Sequence, residues 1–112
     1  MAKPPKKPSR KVTWATVRDF ALAMPGVEES TSYGTPAMKV RGKLIARLKE
    51  DGATIVVPMP IAERDVRIAA EPEVFFVTDH YVPYPYVLVR LAKVTRTDLR
   101  ELLQDVWRMM GA

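Results

Sequence analysis

Residues 36–57, PAMKVRGKLIARLKEDGATIVV, constrain the chain most, because a period of two runs through them. Counted in steps of two, one set reads Val40, Gly42, Leu44, Ala46, Leu48. The other reads Lys39, Arg41, Lys43, Ile45, Arg47, Lys49. Successive side chains of a strand point to opposite faces, so this pattern predicts strands with an apolar back and a basic front. Asp51-Gly52 predicts a two-residue hairpin turn, since glycine accepts the positive φ required there. That turn pairs Leu48 with Ile55 and Ala46 with Val57 and carries the apolar face into the next strand. At the first turn, a two-residue loop at 41–42 would set Val40 beside Lys43 and mix the faces. A three-residue loop, Arg41-Gly42-Lys43, pairs Val40 with Leu44 and Met38 with Ala46 and keeps the faces separate.

The rest of the chain must cover that apolar back. A length of 112 residues predicts one domain with a core of its own, over residues 12–112. Residues 1–11 hold three prolines, five cations and no apolar cluster, and predict a disordered basic tail. Those five cations (Lys3, Lys6, Lys7, Arg10 and Lys11) leave 13 basic residues against 13 acidic, so the net charge of +5 belongs to the tail. The absence of cysteine excludes disulfides, thiolate nucleophiles and Cys-ligated metals, and fits a reducing cytoplasm. No apolar run approaches the ~20 residues of a membrane span. The basic start has no apolar segment behind it, so a secretory signal is not expected. The expectation is a cytoplasmic, monomeric protein with no membrane partner.

Thr13 predicts an N-cap for a first helix carrying Trp14, Val17, Phe20, Ala21 and Met24 on one face, ended by Pro25-Gly26. Val27 to Thr35 is polar and predicts a surface loop. Pro58 and Pro60 stop the third strand. Residues 61–70, IAERDVRIAA, predict a short helix with Ile61, Ala62, Val66, Ala69 and Ala70 as its apolar stripe. Residues 73–78, EVFFVT, and 86–92, YVLVRLA, predict a fourth and a fifth strand around the proline-punctuated loop 79–85. Thr95 to Met110 predicts a closing helix. Leu99, Leu102, Leu103, Val106, Trp107 and Met110 share one face, Thr95 and Asp98 sit at its start, and Gly111 at its end. The order α-β-β-β-α-β-β-α predicts a two-layer α+β fold, a five-stranded antiparallel sheet with helices on one face.

Two surfaces stand out chemically. Lys39, Arg41, Lys43, Arg47 and Lys49 make the basic front, repeating every ~6.6 Å along a strand, near the spacing of phosphates in a nucleic-acid strand. His80, Tyr81, Tyr84 and Tyr86 cluster in a loop stiffened by Pro83 and Pro85, a combination suited to a protein interface, a small ligand or base stacking. A catalytic centre is not expected. His80 is the single histidine and has no orienting partner nearby in sequence; an enzyme would need it joined to a distant carboxylate such as Glu28 or Glu29. Ser30, Thr31 and Ser32 lack a nucleophile-elbow setting. Gly34, Gly42 and Gly52 sit in turns and not in a phosphate loop. No cofactor and no metal site is expected.

GTPAMKVRGKLIARL (34–48), PEVFFVTDHYVPYPYVLVRL (72–91), ALAMPGVEES (21–30) and DLRELLQDVWRMM (98–110) resemble the MmcQ/YjbR family of small bacterial proteins. The resemblance spans residues 13–110. It implies a YjbR-like fold, similar to that of secretion chaperones, with five antiparallel strands and helices on one face. It also implies DNA binding through a double-wing motif. The matching hairpin residues are Lys39, Arg41, Gly42, Lys43 and Arg47, and the matching loop residues His80, Tyr81, Tyr84 and Tyr86. Val82-Pro83 stands where many relatives carry a small or basic pair, and a missing charge there weakens a phosphate contact from that loop. With no recognition helix, binding is expected to be weak, largely sequence-independent and strongly salt-dependent. The alternative is a protein- or small-ligand-binding module built on the His80 loop.

Overall fold

The computed structural model describes residues 11–111. Apart from Lys11, the expected disordered tail lies outside the described residues. The elements run α1 (Trp14–Leu22), β1 (Val27–Ser32), β2 (Thr35–Val40), β3 (Lys43–Leu48) and β4 (Thr54–Pro58), followed by α2 (Ile61–Ala70), β5 (Phe75–Phe76), β6 (Tyr86–Arg90) and α3 (Arg96–Met109). The strands form one sheet in the order β1-β2-β3-β4-β6-β5, every neighbouring pair antiparallel.

Helices α1 and α3 close over the apolar face. Val17 and Ala21 of α1 and Leu99, Leu102, Leu103 and Val106 of α3 join Met38, Val40, Ile45, Ile55, Val57, Val87 and Val89 of the sheet in one buried cluster. Their ends are set by local bonds. The Thr13 N–H donates to Thr16 Oγ1 at 3.2 Å, and the Asp98 N–H donates to Thr95 Oγ1 at 3.1 Å. Trp107 Nε1 donates to the Pro25 carbonyl at 2.9 Å, locking the end of α3 to the turn after α1.

The α+β class and the antiparallel sheet are as expected, but the sheet has six strands and the order is α-β-β-β-β-α-β-β-α. The expected loop 27–35 is strand β1, paired with β2 from Val27↔Val40 to Ser32↔Thr35. It is an edge strand in which Val27 alone is buried. An edge strand needs one neighbour and tolerates polar residues, so its sequence carries no apolar alternation. The expected strand 73–78 shrinks to Phe75–Phe76, because residues 71–75 coil through bonds from the Val74 and Phe75 N–H groups to the Glu71 carbonyl.

The first hairpin turn is also shorter than expected. Arg41 and Gly42, at φ 53° and 78°, form a two-residue loop that does place Val40 opposite Lys43. The faces are restored by a bulge. Lys39 faces Leu44, Met38 faces Ala46, and Ile45 is the extra residue on β3. Ile45 therefore enters the core and Leu44 turns to the front, the reverse of the simple alternation.

The second turn keeps its expected register, Leu48↔Ile55, but with a four-residue loop, closed by the Lys49 N–H on the Thr54 carbonyl at 2.8 Å. Asp51 organises it. Its Oδ1 accepts from the Ala53 and Thr54 N–H groups at 2.8 and 3.0 Å, and its Oδ2 from the Thr54 hydroxyl at 2.9 Å. The Ala53 N–H foremost, then the Thr54 donors and Lys49, hold the Asp51 carboxyl below its ordinary value of 3.8. A depressed carboxylate contributes stability that is complete above the unfolded value and lost as pH falls through the folded one. Asp51→Asn is accordingly expected to cost about 1 kcal/mol at pH 7, a figure kept small by solvent exposure. The difference from the parent should shrink as thermal melts are taken from pH 5 down to pH 3.

Helix α2 overturns its expected stripe. Ile61, Ala62, Val66, Ala69 and Ala70 are all exposed, Val66 to 68%. The buried residue is Arg64, at 3% exposure, and Ile68 packs against the core from the neighbouring position. The helix rests on the backbone of loop 79–85, whose carbonyls need donors and not methyl groups.

Candidate functional site

The sheet face opposite α1 and α3 is a cleft of about 880 Å³. The hairpin strands supply one side of it through Lys39, Leu44, Arg47 and Lys49. The loop after β5 and the start of β6 supply the other through His80, Tyr81, Tyr84 and Tyr86. The basic front and the aromatic loop, two separate candidates in the sequence, are thus the two walls of one site. Val56 lies on its floor, and Ser32 and Tyr33 of the β1–β2 turn close one end.

Not all five expected cations are there. Lys39, Arg47 and Lys49 line the cleft; Arg41 and Lys43 do not. Lys43 stands opposite core-facing Val40, on the other side of the sheet, because the bulge shifts the alternation between turn and strand. Arg41 lies beside Gly111, its guanidinium 3.6 Å from where a β-carbon there would sit, a favourable place for a cation at the C-terminal end of α3.

Arg47 is not the open phosphate contact that alternation suggests. It is 4% exposed. Its Nη1 donates to Thr35 Oγ1 at 3.1 Å and lies 3.7 Å from Glu50 Oε2, and its Nη2 donates to the Tyr81 hydroxyl at 3.0 Å. The guanidinium also stacks 5.3 Å from the Tyr33 ring centroid. One side chain therefore ties the β1–β2 turn, the β3–β4 turn and the aromatic loop together. Lys39 and Lys49 remain as half-buried cations at the rim, with Lys49 Nζ 5.8 Å from the Tyr81 ring. Glu28 stands across the β1–β2 ladder from Lys39. The Glu50 carboxyl is held below its ordinary value by its own backbone N–H first, with Arg47 and Lys49 adding to the effect. The front is therefore mixed in charge and only slightly basic.

The aromatic wall is ordered by contacts of its own. His80 meets Tyr81 edge-on at 4.8 Å, and Tyr81 meets Tyr86 at 6.0 Å. Tyr84 lies 6.4 Å from His80 and is 52% exposed. Behind the loop, Arg64 Nη1 donates to the Tyr84 carbonyl at 2.9 Å and to those of Tyr81 and Tyr86 at 3.3 and 3.4 Å. Its Nη2 donates to the Val82 carbonyl at 3.1 Å. Arg64 and Tyr33 are the site residues that sequence reasoning missed. Arg64 falls outside the apolar stripe expected for its helix, and Tyr33 within the expected polar loop.

His80 is exposed on the cleft wall, not turned into the core. The carboxylates suggested for it lie elsewhere. Glu29 is bonded to Arg18 of α1 at 2.9 Å, and Glu28 faces Lys39. Among the described residues no cluster of three or more His, Asp or Glu side chains is arranged to hold a metal ion. No helix among the described residues is long and apolar enough to cross a membrane.

A crystal structure of a Deinococcus radiodurans protein, described by the family name DUF419, superposes with a TM-score of 0.74 over 88% of this chain and 78% of that one. At 18% identity that likeness concerns the fold. Uncharacterised proteins of Mycobacterium bovis and Mycobacterium tuberculosis are 50% identical to this chain over 44 residues. Those residues are 39% of this chain and 34% of the mycobacterial proteins, so the match spans about a third of their length. The family model YjbR matches residues 22–109, which takes in every strand, α2 and α3, and both walls of the cleft: the chain belongs to the YjbR family.

Proposed function

We propose that this YjbR-family chain is a non-enzymatic nucleic-acid-binding protein, with the cleft on the sheet front as its binding surface. The observation that supports this most is the convergence of two rim lysines and five aromatic rings on one open concavity. Lys39 and Lys49 are the phosphate contacts, and the His80–Tyr86 wall offers ring faces and edges to bases. Arg47 acts indirectly, by holding the two walls in register. DNA is the form that the family resemblance suggests.

The geometry changes the expected salt response. Five open cations would give a steep dependence, but the cleft leaves two. Each neutralised phosphate contributes about −0.7 to the slope of log K against log salt on a single strand and about −0.9 on a duplex. Lys39→Gln/Lys49→Gln is therefore expected to make the slope of the full-length protein shallower by about 1.4 to 1.8. Fluorescence anisotropy across a salt series checks this. An unchanged slope would move the binding surface away from the cleft. The alternative, a protein- or small-ligand module, is favoured by the mutual packing of the aromatic wall, where His80, Tyr81, Tyr84 and Tyr86 hold one another in place. Its sign would be salt-insensitive binding that is lost in Tyr84→Ala.

A further inference from the structure

The β1–β2 turn carries a side chain that the fold does not explain. Tyr33 sits in the left-handed region, at φ 53°, followed by Gly34 at φ 79°. Two-residue turns of this kind favour Asn or Gly at the first position, because a β-carbon is strained there. Arg41 has the same φ in the next turn, but its guanidinium lies at the end of α3, where a cation is favoured. Tyr33 is compensated less, by a cation–π contact of its largely exposed ring with Arg47. Tyr33 is 87% exposed, the most exposed of the large hydrophobic side chains among the described residues.

What Tyr33 does have is a position at the end of the cleft and a partner for its ring. The Arg47 guanidinium sits 5.3 Å from the ring centroid, and Arg47 is itself fixed by Thr35, Tyr81 and Glu50. The ring is thus oriented from beneath while most of its surface stays in water. An aromatic face held out in this way at the mouth of a cleft with rim lysines fits one chemistry well. A planar, unstacked base lies on the ring while its phosphates run past Lys39 and Lys49. In a duplex both faces of a base are covered by its neighbours, and only the edges are offered to a protein.

Building on the nucleic-acid reading above, we infer that the ligand is single-stranded, and that Tyr33 is the platform on which an unpaired base stacks. The test uses full-length protein and three labelled probes: a twelve-nucleotide oligothymidine, the same strand with abasic sites throughout, and a twelve-base-pair duplex. The matching oligouridine distinguishes RNA from DNA, and tighter binding of either strand than of the duplex supports the inference. Tyr33→Asn is expected to raise the melting temperature by relieving the turn, yet to weaken oligothymidine binding about tenfold. It should leave the abasic strand unaffected, and Tyr33→Phe should bind as the parent does. Tighter binding of the duplex overturns the inference, as does a Tyr33→Asn protein that holds oligothymidine like the parent or loses the abasic strand equally. If Tyr33→Asn is neutral while Lys39→Gln/Lys49→Gln abolishes binding, the cleft reading stands and the stacking inference falls. If no probe binds, or neither variant matters, both fall.

Discussion

Arg64→Ala is expected to destabilise the protein by about 3 kcal/mol, as much as many truncations of the apolar core. The cost is not a lost ion pair. Arg64 lies 3.4 Å from Asp65, but that carboxylate is exposed and its attraction is screened. The cost comes from the loop side, where one buried guanidinium donates to four backbone carbonyls between Tyr81 and Tyr86. Without it those acceptors lose a charged donor, and the loop keeps its own short-range bonds, such as those from the Tyr81 and Val82 N–H groups to the Thr78 carbonyl, and the Met59 N–H on the Pro85 carbonyl. A loss of 3 kcal/mol in a domain of this size lowers the melting temperature by roughly 15 °C. Arg64→Lys should recover only part of that, since one ammonium cannot span the carbonyls a planar fork reaches. Thermal melts read the stability. Limited proteolysis reads the mechanism, because cleavage of Arg64→Ala should appear first within 79–85. Cleavage elsewhere at the same protein stability would show that Arg64 does not secure this loop.

The core was legible because it is periodic. In α3 the apolar residues recur at the helical period, and Leu99, Leu102, Leu103 and Val106 are buried as that spacing predicts. In β4 a short run of branched residues ends at Pro58, in β6 such a run follows Pro85, and both strands lie inside the sheet with a neighbour on each side. The elements that were missed or misjudged are those whose environment is set by a neighbour's backbone. β1 is polar because it is an edge, and its register comes from β2. The bulge at Ile45 lets a two-residue turn coexist with an apolar face, a solution that strict alternation excludes. α2 departs furthest from its stripe: five apolar side chains face water while Arg64 is buried against four loop carbonyls, and Ile68 alone of its large apolar residues packs on the core.

The site was half legible for the same reason. Lysines and tyrosines are visible as residue types, so both walls of the cleft could be named from Lys39, Lys49, His80, Tyr81, Tyr84 and Tyr86. That the walls face one another depends on β4 and β6 pairing between them, a contact between residues some thirty positions apart. The roles within the cleft were not legible. Alternation counts Arg41, Lys43 and Arg47 as equivalents of Lys39. The folded chain uses one at a helix end, leaves one on the far face and buries the third.

That burial makes Arg47 a poor choice for charge reversal. Arg47→Glu is expected to cost about 3 to 4 kcal/mol, so a loss of binding in that variant would mix lost stability with lost charge. The new carboxylate would stand beside Glu50, itself an anion that Arg47 now helps to hold ionised. It could not donate to Thr35 Oγ1, and the Tyr33 ring would face an anion in place of a cation. Arg47→Met is the informative substitution, since it keeps the length of the stem and removes only the donors. It should cost about 2 kcal/mol, less than the charge reversal, because the Tyr81 hydroxyl and Thr35 can turn toward water in the cleft. Urea denaturation of the two variants beside the parent measures both values. Loss of nucleic-acid affinity in Arg47→Met under conditions where the protein is fully folded would then report on wall geometry, with Lys39 and Lys49 still in place. A variant that folds and binds like the parent would show that the cleft keeps its shape without the residue that now connects three of its segments.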